Sequence, residues 1–387
     1  MLRSLLITFG SRALGALLQA VFLVAMARGL GPSDAGTVLA MLAIALFVMS
    51  TLDFGMNTRA LRLSGDPNSS RYLGYSLLIR VALTIGIIGS AWLGSYQGWW
   101  ASVAVAGAVY ATGESNGEMS LNVLQGASRP STAATVLLVR RALLVAPLAT
   151  GVTYEALLLG MILNGLAGFA SLVLSMWGRV ARPLAVRELI ATNSAFAVTA
   201  GSGYVQQLDS AFIASSLGAS SAGIYGLATR LNAPLNLLVS GLIQVYVPIV
   251  AAEPSAAARL ERFRRVRRIV IITSLGIGGL GVTAPWLTAA LFGPAFSDGW
   301  PMVAAAFVGA GLSGVSQIHL AWFFGTATPL QLSVWMLVIS TASIGVVVLL
   351  ASTLGVVGMA ISYVSLQVAI LFIIIRFWRR SVVTSVD

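Results

Sequence analysis

"RGLGPSDAG", Arg28 to Gly36, and "SSLGASSAG", Ser215 to Gly223, are one short turn written twice in the same chain. Five positions agree at a constant offset of 187: Leu30/Leu217, Gly31/Gly218, Ser33/Ser220, Ala35/Ala222 and Gly36/Gly223. A repeat at so long a period is not a solenoid unit and points to duplication of half a protein. What flanks the two turns decides the fold. Each lies between apolar runs of roughly 20 residues, the length a helix needs to cross the hydrocarbon core of a bilayer.

The composition agrees. Of the 387 residues, 58% are hydrophobic and 9% charged, with mean hydropathy +0.91; a soluble domain carries roughly 25% charged residues. Without cysteine the chain has no disulfide, thiol catalysis or Cys-based metal site, and a single histidine, His319, argues against a multi-His metal centre. Basic residues outnumber acidic ones, 23 to 12, and all are arginine. They gather at the ends of apolar runs, which is the pattern of membrane topology and not of nucleic-acid binding.

Punctuating by turns and charges gives twelve spans. They lie at 5–28, 36–58, 72–94, 99–125, 131–150, 155–178, 191–216, 222–250, 269–292, 299–324, 328–350 and 355–376. Gly, Ala and Ser are frequent in them and let neighbouring backbones approach closely. With the N-terminus inside, Arg3, Arg59, Arg62, Arg71, Arg129, Arg179, Arg182, Arg187, the run "RLERFRRVRR" (259–268), Arg376, Arg379 and Arg380 are cytoplasmic, and only Arg28 is outside. Both termini are therefore expected in the cytoplasm. The 259–268 run reads as a topology anchor between halves in preference to an anionic-lipid site. "AMA" at 25–27 is not taken as a signal-peptidase site, because Arg12 interrupts the apolar run before it.

Two further pairs support duplication: "GWWASV" (98–103) with "GWPMVA" (299–304), and "GASRP" (126–130) with "GTATP" (325–329). Their offsets are 201 and 199. Six spans per half is an even number, so both halves enter the membrane from the same side. The expected fold is an all-α integral membrane protein of about twelve transmembrane helices. Two six-helix bundles, residues 1–188 and 189–387, are related by a pseudo-two-fold axis along the membrane normal, with a central cavity between them.

"ARGLGPSDAG" followed one helix later by "LDFG" (52–55), and the stretch "QLDSAFIASSLGASSAGIYGLATRL" (207–231), resemble the bacterial polysaccharide flippases. These are members of the multidrug/oligosaccharidyl-lipid/polysaccharide exporter superfamily. The similarity runs along nearly the whole chain. Ala35 stands where the family often has an aromatic residue, and the chain is short for the group, which excludes the extra helix pair of some members. The resemblance implies alternating access and transfer of an undecaprenyl-diphosphate-linked oligosaccharide to the outer leaflet of the bacterial cytoplasmic (inner) membrane, for surface polysaccharide such as lipopolysaccharide. It implies no enzyme activity and no cofactor beyond a coupling H+ or Na+. The partners it implies are the lipid-linked glycan, membrane lipids and other polysaccharide-assembly membrane proteins, without nucleic acid.

Ionisable residues inside the spans carry the functional reading, since each costs at least about 2.5–3.5 kcal/mol at a helix centre and must face a cavity or a partner. The cations Arg12, Arg80, Arg140, Arg141 and Arg230 are the candidate substrate-binding residues; the carboxylates Glu114, Glu118 and Asp209 are the candidate ion-coupling residues, with Asp53 nearer the cytoplasmic end. Depth along the spans predicts three charge layers: Glu118 with Arg12 and Arg80, Glu114 with Arg140 and Arg141, and Asp209 with Arg230. Guanidinium forks suit a diphosphate, so Arg12, Arg140 and Arg141 are expected to meet the pyrophosphate of the carrier. Pro147, Pro234 and Pro285 mark bends, and His319 reads as a hydrogen-bonded interhelical histidine. Two other classes compete. A cation-coupled multidrug antiporter of the same superfamily is disfavoured by five intramembrane arginines. A membrane glycan polymerase or glycosyltransferase is disfavoured by outside loops under about ten residues and by the lack of a nucleophile–base set, P-loop or metal set.

Overall fold

The computed structural model describes residues 2–60, 69–127, 129–183, 187–188, 205–231, 256–325 and 330–383. All regular structure among them is helical. A bilayer demands this, because no water is available there to satisfy an open backbone.

The first helix, α1, runs Leu2–Leu52 and is broken only at Gly31, with φ 71° and ψ 177°. A straight helix of that length reaches about 77 Å at 1.5 Å per residue, more than twice a hydrocarbon core of about 30 Å. It is therefore two spans joined at a residue whose backbone only glycine adopts readily. Gly218, the matching position of the second turn, has φ 90° and ψ 161° and separates α7 (Asp209–Leu217) from α8 (Ala219–Arg230). The repeat thus encodes the same glycine joint twice. It also encodes a contact. A Cβ at Gly36 would lie 1.7 Å from the Ala219 carbonyl oxygen, and one at Gly223 would lie 2.0 Å from that of Pro32. The twin turns pack on each other, and both glycines are required by that closeness.

Between them come α2 (Met56–Arg59), α3 (Ser69–Tyr96), α4 (Val103–Gly126), α5 (Pro130–Val145) and α6 (Tyr154–Met176). Then follow α9 (Ala256–Gly279), α10 (Ala284–Phe292), α11 (Trp300–Gly325) and α12 (Leu330–Val383). Helix α12 is another joined pair of spans, broken at Gly355 with φ 60°. Pro147 lies in a 3-10 turn, Ala146–Thr150, that ends α5; Pro285 opens α10 just after the 3-10 turn Leu280–Thr283. Both prolines mark bends, while Pro234 falls outside the described residues. Helix α9 begins well before the expected span at 269, so the arginine run continues the helix. Its Glu261–Arg265 pair, 3.7 Å apart, is spaced one turn along an exposed face.

The chain separates into two compact units, Met1–Leu227 and Ala228–Asp387. The expected bundle boundary at 188/189 adjoins residues outside the described set, and α7 packs on α1 within the first unit. Seven helical stretches among the described residues are long and apolar enough to span a membrane, and this is a multi-pass membrane protein. Helix α4 is not one of the seven, yet it is the axis of its unit: 19 of its 24 residues are buried, with α1, α3, α5 and α6 around it. Its approach to α6 is as close as backbones permit. A Cβ at Gly168 would stand 2.1 Å from the Gly113 carbonyl oxygen, and one at Gly113 would stand 2.3 Å from Gly165 Cα.

The second unit has an apolar and aromatic core around Phe263, Ile318, Trp322, Phe323 and Ile370. His319 bonds the Val315 carbonyl of its own helix at 2.7 Å, so its hydrogen bond is intrahelical and not interhelical; its ring packs edge-on against Phe263 and Trp378.

Candidate functional site

The polar residues of α4 take part in two buried charge clusters on different faces of it. Glu114 and Ser115 are neighbours, and neighbours on a helix point about 100° apart.

Glu114 faces α5 and α6. Its Oε1 accepts from Arg141 Nη1 at 2.6 Å, Asn164 Nδ2 at 2.8 Å and Arg140 Nη2 at 3.2 Å; its Oε2 accepts from Arg141 Nη2 at 2.9 Å. The Arg141–Glu114 pair is the bidentate fork that guanidinium and carboxylate planes favour. Arg140 is held differently. Nη2 also reaches the Gly113 carbonyl at 3.3 Å, while Nη1 rests on Gly117, where a Cβ would sit 1.7 Å from it. Its Nε and Nη1 are buried without a hydrogen-bond partner. Arg140 and Arg141 are 1% and 5% exposed. With all three groups ionised, two cations and one anion leave one positive charge in excess. Glu118, one turn on and half-buried, acts on both guanidiniums through space but makes no hydrogen bond or ion pair among the described residues.

Ser115 faces α3 and the end of the second span. Arg80 Nη1 donates to the Ser115 carbonyl at 3.0 Å and hydroxyl at 3.1 Å, and Nη2 pairs with Asp53 Oδ2 at 2.8 Å. Asp53 Oδ1 accepts from the Ser76 hydroxyl at 2.7 Å. Both charged side chains are fully buried. Asp53 belongs to "LDFG", which forms a tight turn: Phe54 and Gly55 both have positive φ, 48° and 72°, so the chain leaves the helix and aims the carboxylate inward. One cation, one anion and two hydroxyls make this cluster neutral and one-to-one.

The middle layer of the sequence reading, Glu114 with Arg140 and Arg141, is present. The lower layer is corrected: Arg80 pairs with Asp53 and not with Glu118, because the LDFG turn folds Asp53 back against α3. Arg12 is half-buried on α1 and makes no hydrogen bond or ion pair among the described residues. Asp209 opens α7 and accepts from the Tyr225 hydroxyl; Arg230 ends α8, half-buried, in the second unit. Sequence reasoning missed Asn164, Ser115 and Ser76, whose polar atoms complete the two clusters, and Gly117, which makes room for Arg140. A polar residue in the otherwise apolar α6 was the available signal for Asn164. Among the described residues, no group of three or more His, Asp or Glu is placed to hold a metal.

No family model and no curated sequence matches the chain. Its fold does match solved structures over nearly its full length. An outward-facing multidrug resistance MATE family transporter of the MOP superfamily aligns at 14% identity and TM-score 0.63, covering 98% of this chain and 96% of that one. A MOP superfamily transporter from Pyrococcus furiosus aligns at 14% identity and TM-score 0.64, covering 99% and 96%. The lipid II flippase MurJ, in an inward closed conformation, aligns at 12% identity and TM-score 0.70, covering 97% and 87%. The chain has the fold of the MOP superfamily transporters.

Proposed function

We propose that the protein is a transporter that flips an undecaprenyl-diphosphate-linked oligosaccharide across the bacterial cytoplasmic membrane by alternating access, with both termini in the cytoplasm. The observation that carries the reading is the arrangement at Glu114: one carboxylate is shared by two arginines, and Arg140 keeps two buried donor nitrogens unbonded. A site with spare forked cationic donors suits a diphosphate. Arg12, with no partner among the described residues, is the third arginine assigned to the pyrophosphate. Glu118 is the better coupling carboxylate, since Glu114 is already bound by two guanidiniums. The packed twin turns at Gly36 and Gly223 are assigned to the seal that must part in the outward-open state.

A second reading, the cation-coupled multidrug antiporter, rests on the solved structures of multidrug transporters that share the fold. Against it, a cationic drug would meet Glu114 already gripped by two arginines. The Pyrococcus furiosus transporter has a binding pocket of reversed polarity, which suggests a different function for that protein.

Export of the cognate glycan by cells carrying Arg140→Ala with Arg141→Ala tests the proposal. Export is expected to stop while the protein still inserts, and Arg140→Lys with Arg141→Lys is expected to restore it only in part, because lysine lacks the planar fork. Unchanged export in the alanine variant removes the anion site. Drug resistance on overexpression, without a glycan phenotype, selects the antiporter.

A further inference from the structure

A cleft of about 450 Å³ opens between α5 and α6 in the first unit. That lies within the roughly 300–1,000 Å³ of sites that hold small ligands. Arg129 immediately precedes α5 and Arg179 lies just past the end of α6, so both basic residues border the same end of the cleft. By the arginine distribution this is the cytoplasmic end. The walls beyond them are apolar and outward-facing: Val139 is 50% exposed and Leu174 72%. Apolar side chains that exposed on a membrane-spanning helix meet acyl chains and not water. Trp177, 78% exposed, stands at the helix end, the level where indole rings settle at a membrane interface.

The inner wall includes Arg140, whose Nε and Nη1 lack partners. Most of the hydroxyls along the cleft are not free donors. Thr135, Ser171 and Ser175 donate to the carbonyls of Ser131, Gly168 and Leu172 on their own helices. A hydroxyl has one proton to give, so these three present only lone pairs. Donation therefore rests on guanidiniums, Thr132 and the Trp177 indole. Such a cleft is equipped to hold an anion, with an apolar trough leading away from it.

We propose that this cleft is a binding site for an anionic phospholipid of the cytoplasmic leaflet. Its phosphate lies between Arg129 and Arg179, and an acyl chain lies along Val139 and Leu174. The phosphate position proposed rests on Arg129 and Arg179 and not on Arg140, which is assigned above to the transported pyrophosphate.

Native mass spectrometry of the full-length protein, released from vesicles of phosphatidylglycerol and phosphatidylcholine, tests it. Phosphatidylglycerol is expected to be retained selectively. Arg129→Gln and Arg179→Gln are each expected to weaken retention by about fivefold, the effect of one basic residue at an anionic membrane surface. The corresponding lysine variants should keep most of it. Val139→Trp fills the trough without altering charge and is expected to lower retention as well, which keeps the test decisive if the glutamine variants do not insert. Equal retention of phosphatidylcholine, or indifference to all of these substitutions, overturns the proposal. Preferential capture of a polyprenyl phosphate from mixed vesicles also overturns it and assigns the cleft to the transported lipid.

Discussion

Helices α4 and α11 hold the fourth place in their respective sets of six spans, and the offset of 199 that links "GASRP" to "GTATP" aligns them. Glu114 then corresponds to Ser313, Glu118 to Gln317, Arg140 to Ile339 and Arg141 to Ser340. Where α4 carries a carboxylate shared by two guanidiniums, α11 has a Gln317 amide donating to the Ser313 hydroxyl at 3.2 Å. Ser340 is fully buried and Ile339 packs on the apolar core of the second unit. Of these two matched helices, only α4 carries buried ion pairs; α11 has no Asp, Glu, Lys or Arg. Burying ion pairs seldom adds net stability over well-packed apolar residues, and α11 packs without them. The charges of α4 are thus better explained by what they bind than by what they hold together.

The sharpest way to break this comparison is to remove the carboxylate. Glu114→Leu strands two buried guanidiniums and is expected to cost about 3–5 kcal/mol, read as a large fall in unfolding midpoint in detergent, with loss of export. A double-mutant cycle on the other cluster comes next. Asp53→Leu and Arg80→Met are each expected to be strongly destabilising, and the double variant to recover much of the loss, with a coupling energy of up to about 3 kcal/mol. Strict additivity would show that the pair does not act as one unit. Gly168→Ala pushes a methyl into the Gly113 carbonyl and is expected to cost about 1–3 kcal/mol by overpacking. The mildest change should come from the uncharged copy: Gln317→Leu is expected to lose about 1 kcal/mol, one ordinary hydrogen bond, and to leave export intact. A loss of export in Gln317→Leu comparable to Glu114→Leu would end the claim that α4, and not its uncharged counterpart α11, carries the site.

Gly36→Val and Gly223→Val probe the other product of duplication. Each places a side chain where a backbone carbonyl lies about 2 Å away. Both are expected to pry the twin turns apart and raise labelling of a cysteine placed at Ala222, which is fully buried, compared with the same cysteine in an otherwise unaltered chain.

Much of this was legible in the residues. The class, the repeated turn and the spans that fall on described residues follow from apolar run length, glycine and arginine placement, because a bilayer imposes one rule on every segment that crosses it; most of the expected spans 191–216 and 222–250 lies outside the described residues. The grouping of Glu114 with Arg140 and Arg141 was legible from depth along the helices. Depth failed for Arg80, since it ranks residues by height and is blind to a turn that brings Asp53 back. The start of α9 was missed for a related reason: arginines are good helix formers, so a charged run that ends a span does not end the helix.

The sequence by itself determined that this chain lives in a membrane, that it writes one glycine turn twice, and which charges must find partners there. Those properties are sums over local chemistry, readable one segment at a time. Only the tertiary structure decided which carboxylate meets which guanidinium, that α4 is an axis shielded by four helices, and that the twin turns touch. Each of these depends on how side chains from distant segments meet at ångström range, which spacing along a chain does not specify.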